Sequence, residues 1–276
     1  MTRKPHRFDW WLRYHRSLGI CRAFVHVEDT PELVKLLATP EFADFVSVTT
    51  ASDLSEDALR PDSQDNYYTL MARQERQVRR AVSECRALGI DWLFHVDDDE
   101  LLHFEEPFSS IVKDLAPSPV GCVVLTNIEA VPTALECECM FEHITSFTSQ
   151  KMLAYRNGKS AGRCATSNWH GPHRFTGSYV VVPTSRACLL HFESCLYEGW
   201  RNKFLKHRDI DEKKKEAIPF PFYRDSISLF QKDGDGGRDE ARWKAFYQRR
   251  KIDHFKEVPG SQRMRLRLTD HPEPMI

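Results

Sequence analysis

The stretch "DWLFHVDDDELLHF", Asp91 to Phe104, decides how this chain is interpreted. Its first half is rich in aromatic and β-branched residues and predicts a buried strand. Four acids follow at once, Asp97 to Glu100. Ligands of open α/β sheets gather at the carboxyl ends of strands, and clustered carboxylates there are costly unless a cation neutralises them. A solvated acidic turn, or acids that cap the next helix, would produce the same pattern.

Asp97 and Asp99 form a D-x-D pair, and the apolar strand before them favours a metal site. Mg²⁺ and Mn²⁺ prefer oxygen ligands and commonly bind one or two carboxylates together with substrate phosphates. We therefore expect Mn²⁺ or Mg²⁺ to be held here against a diphosphate. Phosphatases of the haloacid dehalogenase type also carry D-x-D, but they need Thr or Val where this chain has Leu101, so that interpretation is weak.

The composition is that of a globular protein without a strong charge bias. The 276 residues include 39 Lys and Arg and 40 Asp and Glu, for a formal net charge of −1. This balance does not indicate binding to nucleic acid or to an anionic membrane. No apolar stretch approaches the roughly 18 residues of a membrane span, and none follows the basic start as in a secretory signal. With eight cysteines scattered singly, we expect a cytoplasmic protein with reduced thiols.

Predicted helices and strands alternate over residues 8 to 130, which indicates an α/β layered domain with a largely parallel sheet. The second half of the chain is less regular. Residues 52–66 and 232–240 are polar or glycine-rich and predict loops. The Pro-rich stretch "IPFPFYRD", residues 218–225, predicts an extended segment.

Several stretches together resemble the GT-A-fold glycosyltransferases of the family 2 and family 92 type. They are "WWLRYHRSLGICRAFVHVED", "DWLFHVDDDELL", "NGKSAGR", "GPHRF" and "LLHFES" with the later "W..KF", and they cover about residues 8 to 207. The resemblance implies an α/β fold with a GT-A-type, Rossmann-like mixed sheet flanked by helices, a single domain with a less regular C-terminal acceptor-side half. It also implies a strand ahead of the "YHR" helix, where only a short segment precedes that helix in this chain.

The same resemblance implies a domain organisation and a chemistry. Residues 1–207 would be the transferase domain, with a nucleotide-sugar half at about 8–105 and an acceptor half at about 106–207. Residues 208–276 would be a charged loop and helical extension. The reaction would transfer a sugar from a nucleoside-diphosphate sugar to a glycan or other hydroxyl acceptor, with the metal bridging the diphosphate.

The predicted site residues fall into two groups. The expected donor-binding residues are Glu28, Asp29, Gln74, Asp97, Lys159, Arg163, His173, Arg174 and Lys203, and the expected metal ligands are Asp97, Asp99 and His191. Glu28, Asp29, Gln74, His191 and Lys203 match positions of the family, and Glu100 follows the D-x-D as it does there. Simpler interpretations stay open: a surface turn for Lys159 and Arg163, a core histidine for His191, and a structural loop for His173 and Arg174.

An inverting transfer also needs a carboxylate base that deprotonates the acceptor hydroxyl. Glu193, in "HFES", and Glu129, at the end of an apolar strand, are the candidates, and the sequence favours Glu193 slightly. A capping or surface role is an equal rival for each. Two other functions use the same residues: a metal-dependent phosphoesterase, and a non-catalytic module that binds nucleotide sugars.

Overall fold

The chain has a mixed α/β architecture, which confirms the predicted Rossmann-like fold class. The computed structural model describes residues 1–50, 66–116, 119–232, 239–256, 262–264 and 266. The described helices are α1 Phe8–Ser17, α2 Pro31–Leu37, α3 Asn66–Leu88, α4 Phe108–Leu115, α5 Met140–His143, α6 Tyr197–Lys206, α7 Glu212–Ala217, α8 Pro221–Lys232 and α9 Glu240–Tyr247. The strands are β1 Ala23–Val27, β2 Val46–Thr50, β3 Trp92–Phe94, β4 Glu100–Phe104, β5 Cys122–Leu125, β6 Asn127–Ala130, β7 Ser146–Thr148, β8 Lys159–Arg163, β9 Tyr179–Val182, β10 Ala187–His191 and β11 Gln262–Arg263.

The described chain forms two compact units, and each is built from separate stretches of sequence. The first unit contains residues 1–126 and 157–189, and the second contains residues 127–156 and 190–266. The predicted division at residue 207 stays a prediction. Within the described ranges, no helix combines the length and the apolar character that crossing a bilayer requires.

The first unit contains a two-stranded and a four-stranded sheet. β1 and β2 are parallel, with Ala23 opposite Val46 and Val27 opposite Thr50. The four strands follow the order β3-β8-β5-β9, in which β8 is antiparallel to β3 and β5 while β9 is parallel to β5. The expectation of a largely parallel sheet is therefore wrong, because the chain returns from residues 127–156 and inserts β8 in the opposite direction.

Helix α1 is positioned by its aromatic residues, which lie on one face as the spacing predicts. Trp10, Trp11 and Tyr14 are buried. The Trp11 indole donates a hydrogen bond to the carbonyl of Glu100 at 2.7 Å, and the Tyr14 hydroxyl donates to the carbonyl of Leu102 at 2.9 Å. The "WW..Y" pattern thus ties α1 to β4, the strand that begins at the acidic stretch.

Among the described residues, two apolar clusters lie on the two faces of the four-stranded sheet. The residues of β5 alternate between them, because successive side chains of a strand point to opposite faces. One cluster contains Leu102, Ile111, Ala116, Val123, Leu125, Ala161, Val182, Ala187 and Leu189. The other contains Val78, Val82, Cys122, Val124 and Phe175, so that α3 covers one face of the sheet.

The second unit joins a small sheet to a helical, aromatic core. Its strands follow the order β11-β7-β6-β10, and β6 and β7 are antiparallel. Trp200 is fully buried, and its ring lies 5.2 Å from that of Phe230 and 5.3 Å from that of Tyr247. Helices α6, α8 and α9 supply these three rings, so α8 and α9, which follow residue 207, belong to this core.

Several local predictions were wrong or lie outside the described residues. The predicted extended segment at 218–225 contains the start of α8 at Pro221, because proline is well tolerated in the first turn of a helix. The helical extension expected after residue 207 includes α9, which continues directly into a π-helical turn, Gln248–Ile252. Of the predicted loops, residues 52–65 and 233–238 lie outside the described residues.

Candidate functional site

In the first unit, the acids after β3 form a tight turn that leads directly into β4. The Asp97 amide donates to the Glu100 carboxylate at 2.7 Å, and the Glu100 amide donates to the Asp97 carbonyl at 3.1 Å. Glu100 is the first residue of β4 and is fully buried. The Asp97 side chain keeps 40% of its exposure, so solvent and solutes can reach it. The predicted strand-to-acid arrangement is therefore present.

Lys159, at the start of β8, brings a positive charge to this turn. Its ammonium lies 2.7 Å from Asp97 Oδ2 and 3.6 Å from Glu100 Oε2, and its side chain is only 1% exposed. Gly158, with φ of +61°, precedes it and passes close to Leu125, where a Cβ would lie 1.8 Å from the carbonyl oxygen. The tight turn at Gly158 thus positions the buried Lys159 side chain next to Asp97 and Glu100.

The pKa values of the carboxylates in this cluster are shifted in opposite directions. Burial opposes the charge of Asp97, but the cations around it, Lys159 first, outweigh burial and lower its pKa well below the usual range. Burial dominates at Glu100 and raises its pKa well above the usual value, although Lys159 opposes this. The pKa of Lys159 is raised despite burial, because Glu100 and Asp97 are close. Asp97 and Lys159 are thus a charged pair beside an acid that tends to be neutral.

The remaining acids of the turn have their own environments. Asp98 accepts a short hydrogen bond from the Thr2 hydroxyl. Burial and the charge of Asp99 raise the pKa of Asp98 to about 7. Glu100 Oε1 is buried and has no hydrogen-bond partner within the part of the chain that the structure describes. A buried oxygen in this state is one that a proton or a cation would stabilise.

The acids predicted after β1 are engaged with arginines of the same unit. Glu28 accepts from Arg73 Nε at 2.9 Å and from Arg3 at 3.3 Å. Asp29 has a positive φ of 48° and lies 3.0 Å from Arg3. Its side chain is 71% exposed. Asp29 is therefore accessible to a ligand despite its ion pair with Arg3, whereas Glu28 is less accessible.

Gln74 and Arg163 line one cavity of about 580 Å³ inside the first unit. Gln74 Oε1 is buried and has no hydrogen-bond partner among the described residues. Arg163 donates to the carbonyls of Val120 at 3.0 Å and Ala116 at 2.9 Å, and its guanidinium lies 4.4 Å from the centre of the Trp92 ring. These contacts give Arg163 a structural role whether or not it also binds a ligand.

The loop "GPHRF" places its two basic residues in different environments. His173 Nδ1 lies 2.9 Å from the carbonyl oxygen of Gly158, the residue before Lys159. Arg174 stacks over the ring of Tyr179 at 5.0 Å. His173 therefore supports the turn that carries Lys159, while Arg174 lies against the exposed ring of β9.

In the second unit, His191 and Glu193 form a buried pair at the end of β10. His191 Nε2 lies 3.9 Å from Glu193 Oε2, and the two side chains are 3% and 4% exposed. The ring of Tyr155 lies 4.8 Å from that of His191. Burial lowers the pKa of His191 to about 4, so its imidazole is neutral near pH 7. A neutral imidazole has the lone pair that a metal ligand needs.

Lys203, one of the predicted donor residues, contacts Glu193. Its ammonium lies 2.9 Å and 3.0 Å from the two carboxylate oxygens, and it donates to the Tyr223 hydroxyl at 2.8 Å. Ser194 also donates to Glu193. Although burial opposes the charge of Glu193, Lys203 lowers its pKa below the usual range. Lys203 keeps 35% of its side-chain exposure, whereas Glu193 keeps 4%.

Glu129, the other predicted base, lies in a closed ion pair. Lys251 donates to Oε1 at 2.8 Å, and the Leu153 amide donates to Oε2 at 2.6 Å. Both charged side chains have 0% exposure. Glu129 raises the pKa of Lys251 in spite of burial. This pairing is not evident from residue types, because Lys251 stands in the charged run "QRRKI" that follows α9.

The described chain contains acids and a histidine of the types that bind divalent cations. Asp99 in the first unit, and His191 and Glu193 in the second, are side chains that could bind a metal ion. Glu193 enters this set although the sequence indicated it only as a base.

No protein-family model matches the chain. A protein of Arabidopsis thaliana described as glycosyltransferase-like is 23% identical over 270 aligned residues, which cover 82% of this chain and 57% of that relative. This distant similarity supports a glycosyltransferase-like type. The chain spans little more than half the length of the relative.

Proposed function

We propose that this chain is a glycosyltransferase that moves a sugar from a nucleoside-diphosphate sugar to a hydroxyl of a glycan or other acceptor. The observation that carries the proposal is the cluster at the end of β3, where Asp97, Glu100 and the buried Lys159 meet. The distant similarity to a glycosyltransferase-like protein supports the same class. An acid–lysine cluster of this kind suits the binding of a cation together with an anionic diphosphate.

We assign Mn²⁺ or Mg²⁺ as the cofactor, with Asp97 and Asp99 as ligands from the D-x-D pair and His191 as a further ligand. The donor set fits a divalent cation because Asp97 is ionised and accessible and the His191 imidazole is neutral. Glu100 Oε1, which has no hydrogen-bond partner among the described residues, lies in the same turn as the aspartates. When bound, such an ion offsets the negative charge of the leaving diphosphate.

The protein residues have separate tasks in this proposal. Lys159 keeps Asp97 ionised and adds positive charge beside the diphosphate. His173 holds the Gly158 turn and thereby helps to position Lys159. The other donor-binding residues stay proposals of the same kind: Glu28, Asp29, Gln74, Arg163, Arg174 and Lys203.

We propose Glu193 as the base that accepts the proton of the acceptor hydroxyl, in an inverting transfer. Glu193 and Glu129 both accept hydrogen bonds from a lysine. Lys203 is partly exposed and can swing out to release Glu193. Lys251 is fully enclosed and has no such freedom, so Glu129 is better suited to a structural role.

The test is a screen of nucleoside-diphosphate sugars for Mn²⁺-dependent release of the nucleotide. Asp97→Ala and Asp99→Ala should each lower turnover at least about 100-fold, the scale of losing one group that stabilises developing charge. Asp209→Ala is the matched control, because that aspartate is 87% exposed. The circular dichroism of all three variants should stay that of the wild type.

Two results would change the proposal. If Asp97→Ala and Asp99→Ala turn over a nucleotide sugar as fast as Asp209→Ala, these residues do not bind the metal. Rapid hydrolysis of simple phosphate esters that ignores sugar nucleotides would favour the phosphoesterase instead.

A further inference from the structure

Two cysteines of the first unit are in direct contact although they lie far apart in sequence. Cys85 is in the last turn of α3, and Cys164 directly follows β8. The Cys85 thiol donates a hydrogen bond to the sulfur of Cys164. Both cysteines are free, and their exposures are 0% and 2%. The cysteines stand singly in the sequence, so the fold and not their spacing creates this pair.

Hydrogen bonds around the pair hold the contact in place. The chain turns back after α3, and the Ile90 amide donates to the Cys85 carbonyl at 2.8 Å. The carbonyl of the next residue, Asp91, accepts from the Cys164 amide at 2.7 Å. Arg86 Nε donates to the Cys164 carbonyl at 2.6 Å. The two sulfur atoms are therefore held together by the same contacts that join the end of α3 to the end of β8.

The two thiols differ in acidity. The hydrogen bond from Cys85 lowers the pKa of Cys164, and the positive charge of Arg86 adds to this effect although burial opposes it. The same hydrogen bond, followed by burial, raises the pKa of Cys85. The thiolate, not the thiol, is the nucleophilic form of cysteine. Cys164 is therefore the sulfur that reacts first, and Cys85 is the sulfur that keeps its proton until the second step.

The cavity of about 580 Å³ gives a small solute access to the pair. Cys85 and Asp91 line this cavity, and so does Cys21. Cys21 is exposed, so the cavity reaches the surface at that residue. One water occupies about 30 Å³ in the liquid, and hydrogen peroxide is only slightly larger, so the cavity has room for it.

We propose that Cys85 and Cys164 form a site of reversible oxidation, at which hydrogen peroxide converts the two thiols into a disulfide between α3 and β8. The Cys164 thiolate attacks one peroxide oxygen, the O–O bond breaks, and the hydroxide that leaves takes up the proton lost by Cys164 and becomes water. The sulfur of Cys85 then attacks the Cys164 sulfenic acid, the S–S bond forms, and the sulfenic hydroxyl leaves with the Cys85 proton as a second water. Both sulfurs are oxidised and both peroxide oxygens are reduced. This inference does not depend on the proposed transferase activity.

The disulfide would close a long loop of the chain, from the last turn of α3 to the residue after β8. A cross-link that closes a long loop restricts the unfolded chain and thereby favours the folded one. Oxidation of the pair should therefore raise the midpoint of thermal unfolding by about 5 °C or more. Dithiothreitol should reverse this gain.

The experiment treats the reduced full chain with hydrogen peroxide, blocks the remaining thiols with iodoacetamide, and identifies the tryptic peptides by mass spectrometry. Trypsin cleaves after Lys and Arg, so Cys85 falls in peptide 81–86, Cys164 in 164–174 and Cys21 in 17–22. We expect peptides 81–86 and 164–174 to be joined by a disulfide that dithiothreitol removes. Cys21→Ser is the matched control, because it removes an exposed thiol that lines the same cavity and should leave this cross-link unchanged.

Single variants test the separate roles of the two sulfurs. In Cys85→Ser, Cys164 should stop at the sulfenic acid, which dimedone traps. In Cys164→Ser, Cys85 should remain a thiol under the same treatment, because the sulfur that reacts with the peroxide is then missing. Neither variant should show the gain in unfolding midpoint that the wild type shows after oxidation.

Two outcomes would overturn the inference. The first is that peroxide oxidises the exposed Cys21 while Cys85 and Cys164 of the folded wild type remain free thiols. The second is that Cys85 becomes joined to Cys21, so that peptides 17–22 and 81–86 are linked and Cys21→Ser loses the cross-link.

Discussion

Replacing Lys251 with methionine should strongly destabilise the second unit, because it leaves the carboxylate of Glu129 buried without its counter-charge. Lys251 lies 2.8 Å from Glu129, and neither side chain has measurable exposure. The Leu153 amide remains as a hydrogen-bond donor to the carboxylate. One neutral donor does not replace a lysine, since an isolated buried charge is far more costly than a buried amide.

The magnitude follows from the complete burial of the pair. Removing one partner of a buried ion pair costs about 3–5 kcal/mol of unfolding free energy. For a protein of this size, each kcal/mol corresponds to roughly 2–4 °C in the midpoint of thermal unfolding. The Lys251→Met variant should therefore unfold roughly 6–20 °C below the wild type.

The assay is thermal and urea unfolding, followed by the fluorescence of the tryptophans. The matched control is Lys213→Met, which removes an exposed lysine of the same unit and should change stability by less than about 0.5 kcal/mol. The double variant Glu129→Leu with Lys251→Met should regain most of the loss, because no buried charge is then left unpaired.

The reasoning would be refuted if Lys251→Met unfolded together with Lys213→Met. It would also be refuted if the double variant were less stable than Lys251→Met alone, since the cost would then come from packing and not from the stranded charge. A further variant bears on the choice of base: Glu129→Gln should retain the transferase turnover if Glu193 is the base.

Two further predictions concern the first unit. Burial lowers the pKa of His15 from 6.5 to about 4, so below pH 6.5 the unfolded chain binds a proton that the folded chain excludes. As the pH falls from 6.5 to 4, this group should therefore remove about 3 kcal/mol of unfolding free energy. The unfolding free energy of the wild type should fall more steeply with decreasing pH than that of His15→Gln. Parallel curves for the two proteins would contradict this prediction. Gly158→Ala should cost more than about 2 kcal/mol, because its Cβ would meet the Leu125 carbonyl at 1.8 Å. Gly89→Ala, which has a positive φ but open space, should cost only about 1–2 kcal/mol, and equal losses in urea unfolding would argue against the clash.

Sequence patterns predicted the elements whose signals are local. The strand before Asp97 and the long helix α3 follow directly from residue type and apolar spacing. The two apolar clusters on either side of β5 could not be predicted from local patterns. They depend on β8, which pairs with β3 and β5 only after the chain returns from 30 residues of the other unit. The prediction of an extended segment at Pro221 was wrong because proline disrupts the interior of a helix but is favoured in its first turn.

The charged residues of the candidate site could be predicted from the sequence, but the ion pairs that they form could not. Residue types indicated the D-x-D pair and a basic Lys159 as site candidates, and the structure places Lys159 against Asp97. The partner of Glu129 could not, because Lys251 lies 122 residues away in sequence and its neighbours are ordinary surface cations. The functional roles of all the predicted site residues, in donor binding, metal binding and catalysis, stay predictions.

The alternation of the two units along the chain governs how a newly made polypeptide can assemble. When the ribosome has released residues up to 156, β3 and β5 are present but β8, the strand between them, has yet to emerge. Neither unit can complete itself before part of the other has been synthesised. A single cut by a protease likewise cannot release either unit as an intact piece.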